Sequence, residues 1–142
     1  MAKGMVMTKT KTRVQLLVLA DYASISKNGK LSINGIFDQI FSRKFPSKFL
    51  RMFLVAVVEG EPDETRDIDL RIISPEKKDI LSPKKQKVRF GDNGRTNIIA
   101  DIANLPLPVA GIYQIKILEG IRELASTSLR VIKVENNSGI RH

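Results

Sequence analysis

Val14–Ile40, VQLLVLADYASISKNGKLSINGIFDQI, and Leu105–Tyr113, LPLPVAGIY, decide how this chain folds. From Val14 to Ile25 nearly every position is apolar, with Gln15, Asp21 and Ser24 as exceptions. Such a run reads as a strand buried on both faces and central in its sheet. Asn28-Gly29 follows within Lys27–Lys30. It supplies the two positive-φ residues of a type I′ hairpin turn. The chain then reverses. Leu31 and Ile33 share one face, but past Gly35 the apolar phase moves to Ile36 and Ile40, as a β-bulge at that glycine would cause.

The same period continues outward. Phe49 to Val58 is a second continuous apolar run, rich in valine and short for a helix. After the acidic loop Glu59–Asp67, Ile68, Leu70 and Ile72 alternate with Asp67, Asp69 and Arg71. Ser74-Pro75 and Ser82-Pro83 bracket a polar loop, and Gly91–Gly94 makes a turn. Val88 with Phe90, then Ile98, Ala100 and Ile102, resume period two. The closing pair is Ile112–Leu118 and Leu124–Val134 across a tight turn at Glu119-Gly120. Short strands with turn residues between them, and no helical stripe, predict an all-β antiparallel sandwich of about eight strands. The predicted division is a basic extension over 1–12, the sandwich over 13–134 and a tail over 135–142.

Composition narrows the chemistry. With 142 residues, 42 % of them hydrophobic and 27 % charged, the chain has the apolar content to fill one core. Cysteine is absent, which removes thiolate zinc sites and thiol nucleophiles and fits a reducing compartment. Val14–Ala20, preceded by Lys3, Lys9, Lys11 and Arg13, copies the outline of a signal peptide. The run is interrupted by Gln15 and sits at the lower limit of about 7 apolar residues, so a cytoplasmic protein without a membrane segment is expected. The only histidine is the terminal His142, which removes serine triads and histidine-based metal sites. Six acids crowd Glu59–Asp69, but their spacing matches no calcium loop and solvation explains them. No catalytic residue, metal or cofactor is expected.

Leu17–Ala23, the hairpin Asn28–Gly35, Pro46 and Leu105–Tyr113 together resemble a family of small bacterial proteins of unknown function. Its members look like single β-sandwich domains, and the similarity runs in order from Val14 to Val134. The resemblance implies fold and not activity. The extension before Val14 and the loop Lys77–Lys87 look particular to this chain. Gly111-Ile-Tyr113 also resembles a strand opening of immunoglobulin-like domains, in which a tyrosine hydroxyl bonds backbone upstream and the residue two positions on, here Ile115, faces the core. The alternative is a core aromatic with a wet hydroxyl. Tyr22, Gly29, Gly35, Gly111 and Tyr113 are therefore assigned structural roles.

Two functions follow as expectations. The first is a non-enzymatic module that binds a protein partner through loops or sheet edges. The second draws on 24 basic against 15 acidic residues and a formal charge of +9. It is a nucleic-acid accessory contacting phosphates non-specifically through Arg43, Lys44, Lys48, Lys84, Lys85 and Lys87. The absence of aromatics interleaved with those residues weighs against base stacking. Sheet edges also recruit other strands, with Lys30, Lys116 and Lys133 as candidate edge guards. Far-ultraviolet circular dichroism is expected to show strand and no helical double minimum; a helical spectrum would overturn the fold assignment.

Overall fold

Two apolar hairpins and one long strand between them organise the computed structural model, which describes residues 11–81 and 84–135. The strands are β1 (Arg13–Ile25), β2 (Leu31–Phe37), β3 (Gln39–Ser42), β4 (Ser47–Glu59), β5 (Thr65–Ile73), β6 (Lys84–Arg89), β7 (Arg95–Leu107), β8 (Gly111–Glu119) and β9 (Arg122–Lys133). They form a four-stranded sheet in the order β2-β1-β4-β7 and a five-stranded sheet in the order β3-β9-β8-β5-β6. All neighbours are antiparallel except β3 and β9, which run parallel. No helix of the described residues is long and apolar enough to cross a membrane. The N-terminal stretch to residue 10, the dipeptide Ser82-Pro83 and residues 136–142, His142 included, lie outside the described residues.

Alternation builds the core. Leu19, Leu54 and Ala100 stand side by side across β1, β4 and β7, and meet Ile68, Leu70, Ile72, Ile115 and Ile117 from the other sheet. Phe90, just past β6, is fully buried. It leaves room for nothing but glycine at position 60, where a Cβ would lie 2.4 Å from its ring.

Two local expectations need correction. The Asn28-Gly29 turn is a three-residue loop: Ser26 N–H donates to Lys30 O, Gly29 N–H to Ser26 O (both 2.9 Å), and only Gly29 has positive φ, at 82°. One left-handed residue suffices when the loop is three residues long. At Gly35 there is no bulge, because Ala20↔Ile36 and Tyr22↔Asn34 keep one register on both sides of it. The change at Ile36 falls within β2, at the left-handed Gly35 (φ 72°), with Leu31 and Ile33 packed on the outer cluster and Phe37 on the core; the burial of Ile40 marks a sheet crossing. β2 lies in one sheet, and β3, separated by Asp38 alone, lies in the other with Ile40 in the core. That crossing is also why nine strands are present where the periodicity predicts about eight.

The expected edge guards Lys116 and Lys133 stand on β8 and β9, which are interior strands. β1 is interior too, but the second sheet covers only one of its faces. Tyr22 on it is 52 % exposed.

Tyr113 follows the corner reading, and its hydroxyl is not wet. Its ring is fully buried, and its hydroxyl donates to Val109 O at 2.6 Å while accepting from Val109 N–H at 3.3 Å. Burial pushes its pKa up. This is the backbone tie that closes the corner into β8 in immunoglobulin-like domains. Gly111, two residues earlier, has φ 139°, and a Cβ there would lie 2.8 Å from Pro75 Cγ. The Ser74-Pro75 loop itself is pinned by the buried Ser74 hydroxyl, which accepts from Glu76 and Lys78 N–H at 3.2 Å each. Tyr113→Phe keeps the ring and strands both Val109 groups. It is expected to cost about 1–3 kcal/mol in urea unfolding with an unchanged dichroism spectrum; a stability equal to wild type would show that the tie contributes nothing.

Candidate interaction surface

The outer side of the four-stranded sheet is built from the positions that alternate with the core. Val18, Val55 and Ile99 form one row across β1, β4 and β7. Ile36, Ala20, Phe53 and Asp101 form the next across all four strands. No second layer of described residues covers these rows, yet Phe53 and Val55 are buried. They are shielded by in-sheet neighbours, in a cluster of Ala23, Phe53 and Val55 with Val18, Leu31, Ile33 and Ile99 packed against it.

Two side chains close over Phe53. The Tyr22 ring meets it edge-on, with centroids 5.5 Å apart and planes at 78°. The Arg51 guanidinium lies 5.0 Å from the Phe53 centroid, a cation–π distance. Arg51 also forks onto Asp101, with Nε to Oδ1 at 3.0 Å and Nη2 to Oδ2 at 2.6 Å. The hydrogen bonds from Arg51 hold the Asp101 carboxyl below its ordinary pKa and, reciprocally, raise that of Arg51. Ile36, 61 % exposed, extends the apolar surface toward the β2 edge.

The residues assigned from sequence fall elsewhere, apart from Tyr22. Arg43 and Lys44 lie between β3 and β4, and Lys48 lies on β4 opposite Pro106. Lys84, Lys85 and Lys87 all stand on β6. Because β3 and β6 are opposite edges of the five-stranded sheet, four strand spacings, about 19 Å, part the β6 lysines from Arg43 and Lys44. Four of the six acids of Glu59–Asp69 are drawn into separate ion pairs: Glu59 with Arg13 and Arg95, Glu64 with Arg66, Asp67 with Lys87, and Asp63 with Arg89. No three metal-ligating side chains converge among the described residues.

Arg51, Phe53 and Asp101 escape a reading of the sequence because Arg51 and Asp101 are 50 residues apart and only the β4–β7 register joins them. The available signal is one charge at the head of the apolar run Met52–Val58 and one inside Ile98–Ile102.

Strand order, the parallel β3–β9 pair and the tyrosine corner make the protein an immunoglobulin-like β-sandwich with an aromatic–cation patch on one sheet. Residues 15–132 match the family of unknown function DUF6941, and the chain belongs to that family. Among curated proteins none matches. Of solved structures, the Pseudomonas fluorescens alkylpurine DNA glycosylase AlkC bound to abasic-site DNA aligns at 9 % identity and a TM-score of 0.51, over 87 % of this chain and 31 % of that one. A Listeria innocua β-glucosidase aligns at 5 % identity and 0.52, over 89 % of this chain and 17 % of that one. An immunoglobulin-like protein of Pseudomonas aeruginosa aligns at 12 % identity and 0.48, over 85 % and 96 %. At these identities the likeness is one of fold.

A depressed carboxyl pKa adds stability above the unfolded-state value and loses it as pH falls through the folded value. Asp101 should therefore titrate below an ordinary aspartate when followed by carbon-detected NMR, and return to the ordinary range in Arg51→Ala. An unmoved Asp101 in that variant would remove the pair as the cause.

Proposed function

We propose that this chain is a non-enzymatic cytoplasmic module that binds a protein partner, with the outer face of β2-β1-β4-β7 as the contact. The carrying observation is the grouping of Tyr22, Phe53 and Arg51 beside exposed Ile36. Tyrosine and arginine anchors around a desolvated aromatic are the composition of binding hot spots. The Arg51–Asp101 fork supplies the polar rim. A reducing compartment suits a chain without cysteine.

A nucleic-acid accessory is the second reading, supported by four basic side chains, Lys84, Lys85, Lys87 and Arg89, on the six residues of β6. Arg43 and Lys44 stand at the other edge of that sheet, so β6 would have to act without them.

Affinity capture with wild type and Tyr22→Ala separates the readings. A protein recovered by wild type should fall about tenfold or more in the variant, the loss of one hot spot. Equal recovery overturns the assignment to this face. Nucleic acid bound at about 50 mM salt and released as salt rises, retained by Tyr22→Ala and lost when the three β6 lysines become alanine, would move the function to β6.

A further inference from the structure

Four strands form the edges of the two sheets, and three carry devices that discourage pairing with another chain. β3 is four residues long. β6 holds Lys84, Lys85, Lys87 and Arg89, so two β6 strands meeting antiparallel would set lysine against arginine. β7 carries Pro106. Shortness, charge and proline are the usual edge protections. β2, Leu31–Phe37, has none of them: it is LSINGIF, without a charge or a proline, and it pairs with β1 alone.

The residues bounding β2 make it self-complementary. Lys30 precedes it and Asp38 follows it. Both are exposed, and neither makes an ion pair within the described residues, Arg130 of the cleft that Asp38 lines included. If two copies meet antiparallel about Asn34, positions that sum to 68 face each other. Leu31 then opposes Phe37 of the second copy, Ser32 opposes Ile36, Ile33 opposes Gly35, and Lys30 opposes Asp38 at both ends. Like charges are absent from the whole seam, which matters for a chain of net charge +9.

We infer that β2 is a homodimer edge, where two copies of this chain join their four-stranded sheets into one of eight strands around a two-fold axis at Asn34. The interface is isologous, and the Tyr22–Phe53 patches of both copies end up on sheets joined edge to edge.

The absence of native cysteine makes the test direct. Asn34→Cys places two thiols opposite each other, at a Cα separation of about 4.5–5.5 Å, inside disulfide range. It should yield a covalent dimer under mild oxidation. Ser32→Cys and Ile36→Cys should each give no covalent dimer alone and crosslink when mixed, because only the mixed pair sets two thiols in register. In sedimentation velocity, Lys30→Glu and Asp38→Lys should each weaken the dimer about three- to tenfold, the scale of two exposed ion pairs. The double variant K30E/D38K should restore it. Sedimentation as a monomer at every concentration, or a double variant no better than the singles, overturns the inference. Partner capture that survives in Lys30→Glu while the dimer is lost would leave the protein-binding face standing; unchanged capture in Tyr22→Ala with the dimer intact would overturn that face and leave the edge standing. An Asn34→Cys variant that crosslinks only to an unrelated protein would also sink the second-copy assignment.

Discussion

β4 must be apolar on both of its faces, and the rest of the structure is arranged around that demand. Met52, Phe53, Leu54, Val55 and Ala56 are all buried in succession. Alternation sends Met52, Leu54 and Ala56 between the sheets, where burial comes from the opposite layer. Phe53 and Val55 point the other way, where no layer of described residues lies. Their shielding has to come from β1 and β7 at either side, and from Tyr22 and Arg51 folded across the ring. Removing a valine or phenylalanine side chain from water is worth roughly 1.5–3 kcal/mol, whereas an exposed ion pair contributes about 0–1 kcal/mol. Packing on Phe53 therefore sets where Arg51 lies, and Asp101 is held by an arginine already placed.

Much of the fold is legible because its signals are local. Ile68, Leu70 and Ile72 alternate within a short stretch, and the inward face of β5 follows from the spacing alone. Gly111-Ile-Tyr113 similarly carries its corner in a few residues, since the hydroxyl reaches back only to Val109. The sheet crossing at Asp38 is not legible in the same way. A bulge and a change of sheet both shift the apolar phase, and choosing between them requires knowing that β3 has the distant β9 as its partner. The outer patch is hidden for a related reason. A continuous apolar run looks alike whether its second face is covered by another layer or by lateral neighbours. Val14–Ile25 reads as the first, and the structure shows the second.

Charge is distributed by strand position more than by function-like clusters. The acids that crowd Glu59–Asp69 in sequence separate in space, because the chain turns sharply at Gly60–Asp63 and the carboxylates find bases on different strands. Glu59 shows the pattern: hydrogen bonds from Arg13 on β1, and then Arg95 on β7, hold its carboxyl below the usual range. The two arginines clamp the ends of β1 and β7 onto β4 across the sheet. Glu59 thus serves the register of the four-stranded sheet, while Asp63, Glu64 and Asp67 pair with bases of the other sheet.

The placement of Gly35 argues against treating β2 as an ordinary edge. Its φ of 72° is a conformation that costs a non-glycine residue strain, and even glycine weakens a strand by roughly 0.5–1 kcal/mol relative to alanine. A Cβ there would also lie 2.4 Å from Oδ2 of the exposed Asp21 side chain, but it is the left-handed φ that demands glycine. Yet the register with β1 continues unbroken through it, and no bulge turns the edge away from solvent. A bulge at this position would have supplied the protection that β2 otherwise lacks. The strand instead keeps its register and stays uncharged and open along its outer side, while the lysine and aspartate that bound it have opposite signs and no ion-pair partner among the described residues. Those features are coherent if another strand lies there, and they are costly if water does.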